Sequence, residues 1–252
     1  MADPHWALTD FDAPLYRSIP TIRPSEDLWD DLTDEAEAGA VMDAAIARGK
    51  PAVGPPNLIH APFAYFEQAH RLGNPPPDML ATRYSDGNHA VWYGGLRPAV
   101  ALAETLYWFV RGALEDELAA HSGPVVGHRA VGSAQCRALL IDLQGQEQDL
   151  PQIIDPNDHG YCRRLGGRIH NEGHPGLLAP SARSQGGIGA IFNDRVLSDG
   201  RVLSYARFQL EPATGQVSVT SGEGDPVGFD LEDLLAGVRV SAATMGLMEA
   251  GG

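Results

Sequence analysis

Apolar residues in this chain recur at three- and four-residue intervals in some stretches and alternate over short runs in others, and the two rhythms predict different elements. Between Ser25 and Lys50 the apolar positions Leu28, Trp29, Leu32, Ala36, Ala40, Val41, Ala44, Ala45 and Ile46 follow a start of Ser-Glu-Asp. Acids in the first turns and Arg48 and Lys50 at the end suit a helix dipole, so one broken or two short helices are expected there. Pro98 opens a second helix through Arg111, with Val100, Ala103, Leu106, Tyr107 and Val110 on its apolar stripe. A third runs from about Gly160 to Glu172 behind the capping loop Asp155-Pro-Asn-Asp158. Short helices are expected at Phe63 to Leu72 and at Phe229 to Val238. Strands are expected at Val91 to Tyr93, Pro124 to Ala130, Arg137 to Asp142, Leu177-Leu178, Ile188 to Phe192, Val202 to Leu210 and Gln216 to Thr220.

Helices mixed with runs of strands, without repeated βαβ units, predict an α+β fold rather than a doubly wound sheet. At 252 residues the chain fits one domain, and the seven prolines from Pro51 to Pro77 mark loop rather than a linker, because Phe63, Tyr65 and Phe66 can pack on a core. No internal repeat or low-complexity segment interrupts it.

The formal charge of −15 would repel a nucleic-acid backbone, so nucleic acid is not an expected partner. Two cysteines, Cys136 and Cys162, supply neither a disulfide framework nor a CxxC pair. Without a signal-peptide pattern or an apolar run of about 18 residues, a cytoplasmic protein with no membrane association is expected.

Three places carry candidate chemistry. His170 and His174 flank Glu172 as in a zinc helix, but Gly173 and Pro175 end the helix between them, so no metal is expected. Gly186-Gly187-Ile188-Gly189 has the glycines of a phosphate turn without the remainder of a dinucleotide or P-loop motif, and a tight turn accounts for it. The third place is a pair of units. Arg83-Tyr84-Ser85 precedes a strand and then a helix whose apolar face contains Glu104, an acid that must reach solvent or find a cation. Further on, Ser181-Ala-Arg183-Ser-Gln-Gly-Gly forms a small-polar turn after a strand, and turn chemistry alone could explain it.

Together these units resemble the RES domain, a toxin family named for its Arg, Glu and Ser. The resemblance lies in TRYSDGNHAVWYGGLRPAVALAETLYW from Thr82 to Trp108 and HPGLLAPSARSQGGIGAIF from His174 to Phe192. It is to the longer, ParT-like branch. Leu15-Tyr16-Arg17 and Ala138 to Leu143 extend it to residues 13–196, within a single domain spanning 1–252 that adds the 25–50 helical segment and a 200–252 extension. The resemblance implies an ADP-ribosyltransferase-like sheet core with flanking helices, and a toxin that cleaves NAD⁺ and is held by a cognate Xre/ParS-like antitoxin. The residues it implies as catalytic are Arg83, Glu104 and Ser181; those implied for NAD⁺ binding are Arg83, Tyr84, Ser85, Tyr93, Ser181 and Arg183, with no metal. The implied acceptor of ADP-ribose is a protein. Water or phosphate is the alternative, and a non-catalytic binding module is a third. Tyr84, Gly94-Gly95 and His174-Pro175 depart from the commoner family residues at their positions.

Overall fold

The computed structural model describes residues 6–21, 55–73, 75–115 and 123–250. The helical segment expected at 25–50 lies outside them. Eight strands form one mixed sheet: β1 (Leu8–Pro20), β2 (Trp92–Gly95), β3 (Val125–Asp142), β4 (Gly176–Pro180), β5 (Gly187–Ile191), β6 (Leu197–Glu211), β7 (Gln216–Ser221) and β8 (Val227–Asp230). Their order is β1-β2-β5-β4-β3-β6-β7-β8, and β1 also pairs with β3. β1, β2, β5, β4 and β3 therefore close a ring. One antiparallel ribbon, β1-β3-β6-β7-β8, meets a second, β2-β5-β4, at two short seams: Tyr16 opposite Gly95, and the parallel pairs Ile141–Leu177 and Asp142–Leu178. The β3–β4 contact is the one parallel pairing among these strands, as the α+β expectation requires.

Among the described residues six helices flank the sheet: α1 (Pro55–Gly73), α2 (Pro77–Leu80), α3 (Pro98–Glu115), α4 (Gly160–Asn171), α5 (Leu231–Ala236) and α6 (Ala242–Ala250). α3 follows its predicted stripe. Proline opens it, where a missing N–H costs nothing, and Val100, Ala103, Leu106, Tyr107 and Val110 are all buried. On the other side of the sheet α1 covers Gly132 and receives the Trp92 indole, which donates to the Leu58 carbonyl at 2.8 Å. Trp92, Leu15, Ile59, Leu140 and Leu178 form the apolar cluster there.

Several boundaries differ from expectation for local reasons. The two strands expected around 124–142 are one 18-residue strand. Its middle, Gly132-Ser-Ala, breaks the apolar pattern because the site is crowded: a Cβ on Gly132 would lie 2.9 Å from the Arg201 carbonyl oxygen. Register shifts against β6 occur at Val131/Gly132 and between Ser133 and Gln135. β1 was not expected. Its alternation is obscured by Pro14 and by acids on its outer side, and thirteen Cα pairs with β3 override that weak pattern. The helix expected at 229–238 is a short strand followed by α5, because Asp230 caps the helix, its Oδ1 accepting from Glu232 N at 2.8 Å and Asp233 N at 3.1 Å. Gly237, in the left-handed region at φ 79°, ends it. α6 was likewise unexpected. Among the described residues no helix is long and apolar enough to cross a membrane.

Candidate active site

A cavity of about 420 Å³ opens between the two ribbons and the N-terminal half of α3. β1 supplies Tyr16, Arg17 and Ser18; the segment before β2 supplies Thr82 and Arg83; β2 supplies Tyr93. α3 places Glu104, Thr105 and Trp108 on one face by helical spacing. His159 and Arg163 come from the start of α4, and Arg183 from the loop between β4 and β5. Four arginines thus face one carboxylate in a protein of charge −15. The local field is positive where the mean field is negative.

Glu104 is held from behind. Ser181, fully buried, donates its hydroxyl proton to Glu104 Oε1 at 2.6 Å. Its oxygen is reached in turn by Arg183 N at 3.0 Å, Ser184 N at 2.9 Å and Ser184 Oγ at 3.0 Å. A hydroxyl has one proton and two lone pairs, so Ser181 has nothing left for a ligand. Ser181, expected to contact NAD⁺, is not among the residues lining the cavity and meets it through the Glu104 carboxylate.

Arg83 lies across the cavity wall with its guanidinium pinned by backbone oxygens. Nη1 donates to Ile153 O at 3.3 Å and Nη2 to Asp155 O at 2.8 Å. Those carbonyls are aimed by a local turn in which Asp155 Oδ1 accepts from Asn157 N at 2.8 Å and Asp158 N at 2.7 Å. The same two bonds hold the Asp155 carboxyl below its usual range. The next carbonyl, Pro156 O, accepts from Arg183 Nη2 at 2.6 Å, and the Arg183 guanidinium stacks 3.4 Å from the Tyr107 ring centroid. One turn therefore orients two arginines.

Tyr93 reaches the wall with its hydroxyl bonded inward, accepting from Tyr84 N at 2.9 Å and 2.9 Å from Thr82 Oγ1. Burial pushes its pKa up to about 12, so the phenol stays neutral. Tyr84 and Ser85 do not line the cavity. Tyr84 is fully buried, with Gly166 of α4 packed on its backbone. Ser85 Oγ donates to His89 O at 2.7 Å and accepts from Gly87 N at 3.1 Å, closing the turn that carries the chain into β2. Both were expected to bind NAD⁺; here they shape the loop that presents Arg83 and Tyr93.

Arg163, His159 and Trp108 also line the cavity, and none carries a distinguishing signal in the local sequence pattern. Arg163 is an ordinary polar position on α4, yet its Nε donates to Thr82 O at 3.1 Å and its side chain lines the cavity. His159 stands directly before α4, at its N-cap position. Burial, then Arg83, Arg163 and Arg183, push its pKa down to about 4, leaving a neutral ring whose buried Nε2 has no partner. Arg17 Nη1 and Arg183 Nη1 are likewise buried without partners among the described residues. Burial alone takes the Arg17 guanidinium down to about 10.

The other two motifs have structural roles. His170 stacks on His89 with ring centroids 4.2 Å apart, whereas His174 lies past the helix end, 3.9 Å from Glu172 Oε2. Gly186 and Gly187 are small because a Cβ would meet Val100 or Leu96 at 2.5 Å.

Residues 51–211, well over half of the chain and including Arg83, Glu104 and Ser181, match the RES domain. The chain belongs to the RES domain family. Among solved structures this RES domain protein is similar to a chain in the crystal structure of the M. tuberculosis MbcT-MbcA toxin-antitoxin complex. The identity is 12%, with a TM-score of 0.41, over 82% of this chain and 88% of that one. No curated protein matches the RES domain protein significantly. Arg17 and everything after Glu211 fall outside the family match.

Proposed function

We propose that this RES domain protein cleaves NAD⁺ at the nicotinamide–ribose bond and transfers the ADP-ribose to a protein, acting as the toxin of a toxin–antitoxin pair. The observation that carries the reading is the Glu104 carboxylate, fixed by Ser181, in a cavity whose other charges are four arginines. The dinucleotide brings a dianionic pyrophosphate, which the arginines take up. Arg83 forks two donors in a fixed plane, a geometry lysine cannot copy. Tyr93 stacks on the cationic nicotinamide, an attraction that disappears once the ring leaves neutral.

As the C–N bond breaks, its electron pair goes to the nicotinamide nitrogen and positive charge develops on the ribose. Glu104 stabilises that charge as glycosidase carboxylates do. An acceptor nucleophile attacks the sugar carbon and loses its proton to solvent or a neighbouring base. Transfer to water or phosphate is the second reading. One observation favours it: position 102, two residues before Glu104, is a buried Leu where arginine-directed transferases have a second carboxylate.

Purified protein incubated with NAD⁺ labelled in the adenylate half and with lysate distinguishes the outcomes. Labelled protein bands support transfer, and free ADP-ribose or its phosphate supports the second reading. No nicotinamide release under conditions where NAD⁺ binds would leave only a binding module. The family resemblance supports control by a Xre/ParS-like antitoxin. A chain terminus or acidic side chain inserted among the arginines would use the charge that serves NAD⁺, so antitoxin and NAD⁺ compete for the cavity. Calorimetry showing undiminished NAD⁺ binding by the intact complex would rule out occlusion.

A further inference from the structure

We infer that the C-terminal segment from Gly237 to Glu249 is a clamp that holds the Ser181–Gly187 loop, and through it Glu104, in the reactive arrangement. The inference rests on Glu104 acting as proposed above. The segment lies wholly outside the family match, which ends at residue 211.

The loop makes few bonds of its own. Beyond the contacts at Ser181 Oγ, its internal tie is Ser181 N to Gly186 O at 2.7 Å. Three of its backbone groups, Arg183 O, Ser184 O and Gln185 N, are taken up by the C-terminal segment. Val240 N donates to Arg183 O at 2.8 Å, Gln185 N donates to Val240 O at 2.8 Å, and Ser184 and Val240 form a parallel bridge. Arg239 Nε adds a bond to Ser184 O at 2.9 Å, and Ala242 N donates to Gln185 Oε1 at 3.2 Å. One short extended segment thus engages three consecutive loop residues, among them the two whose amides fix the Ser181 oxygen.

The segment is itself anchored at both ends. At its start, a Cβ on Gly237 would meet Pro156 at 2.7 Å, so the chain packs tightly on the turn that orients Arg83 and Arg183. At its end, Met245 and Met248 are buried in the main core. The Glu249 carboxylate pairs with Arg97 and accepts from Ala99 N at 3.3 Å, at the N-terminus of the helix that carries Glu104. The clamp therefore touches the loop, the helix and the arginine-orienting turn, the three supports of the site. Arg239 is its most separable part, because it is half-buried and its bond to Ser184 O is a side-chain addition to a backbone pairing.

Arg239 is thus a positioning residue. The test is Arg239→Ala and Arg239→Lys in the full chain, each also made with Ser181→Ala, read by steady-state NAD⁺ cleavage and by amide hydrogen exchange of residues 181–187. Arg239→Ala is expected to lower kcat about tenfold with KM little changed, since small misplacement of a reacting group is costly. Arg239→Lys restores most of the rate. In the Ser181→Ala background the same change has no further effect, because the route to Glu104 is already cut. Exchange at Arg183 and Ser184 accelerates in Arg239→Ala while the melting temperature holds.

Equal losses in both backgrounds, or a kcat that does not move, would overturn the positioning role. Unchanged exchange at these amides would overturn the clamp whatever the kinetics show. If wild-type protein releases no nicotinamide, the enzymatic reading fails and the positioning role fails with it, while the exchange result still decides whether the clamp exists.

Discussion

The two sides of the cavity differ in how their hydrogen-bonding capacity is used. On the Glu104 side it is spent: the Ser181 proton goes to the carboxylate, and the Ser181 oxygen is met by Arg183 N, Ser184 N and Ser184 Oγ. On the arginine side it is used only in part: Arg83, Arg163 and Arg183 donate to backbone oxygens, while Arg17 Nη1, Arg183 Nη1 and His159 Nε2 are buried and without partners among the described residues. Buried polar atoms left unpaired are costly. The contrast is between one carboxylate fixed in place and a set of guanidinium groups whose hydrogen bonds are only partly satisfied.

The sharpest way to break the comparison is Glu104→Gln. The amide keeps size and hydrogen bonding but loses the charge, so NAD⁺ cleavage should fall on the order of 10²- to 10³-fold while NAD⁺ affinity is largely kept. Near-normal turnover in folded protein would remove Glu104 from the mechanism.

On the arginine side Arg83→Lys should give the opposite split. A point charge cannot bridge Ile153 O and Asp155 O while facing a pyrophosphate, so calorimetry should show NAD⁺ affinity lowered about tenfold and more at high salt. Unchanged affinity with collapsed turnover would show that Arg83 belongs to the chemistry rather than to capture.

Ser181→Ala is expected to cost stability as well as rate. Removing the hydroxyl strands two buried amides and the Ser184 hydroxyl, a loss of about 1–3 kcal/mol for a buried unsatisfied group. Chemical denaturation measures it, and an unaltered midpoint would mean that water replaces the serine.

The smallest expected effect is in acid. Burial pushes both His159 and His89 down to about 4, with the arginines adding to the effect on His159 and His170 to that on His89. Each binds a proton more weakly folded than unfolded. Their contribution is therefore complete above the ordinary histidine value near 6.5 and is lost as pH falls toward 4. Melting temperatures should drop across that window, and His159→Gln should flatten the drop. An identical slope in the variant would show that His159 is not titrating in the fold.

The Glu104-bearing helix and the turn of Ser181 were both legible in the sequence. An acid inside an apolar stripe and a small-polar turn after a strand are local signals, and both motif units end up against one cavity. Arg163, His159 and Trp108 carried no such signal, since each is ordinary for its local position. β1 was hidden because its outward acids and Pro14 mask the alternation, and its stability comes from pairing with a strand more than a hundred residues away.

The local pattern of this chain determined the helices α3 and α4, where α3 begins and which face of it is apolar, because periodicity and capping act over a few residues. It also supplied the one acid that had no place in that face. Only the tertiary structure decided what each polar atom is bonded to. The Ser181–Glu104 contact spans 77 residues of sequence, the Arg83–Asp155 contact 72 and the Arg239–Ser184 contact 55. Whether a serine faces a ligand or a carboxylate depends on which donors remain unspent, and that is settled across the whole fold.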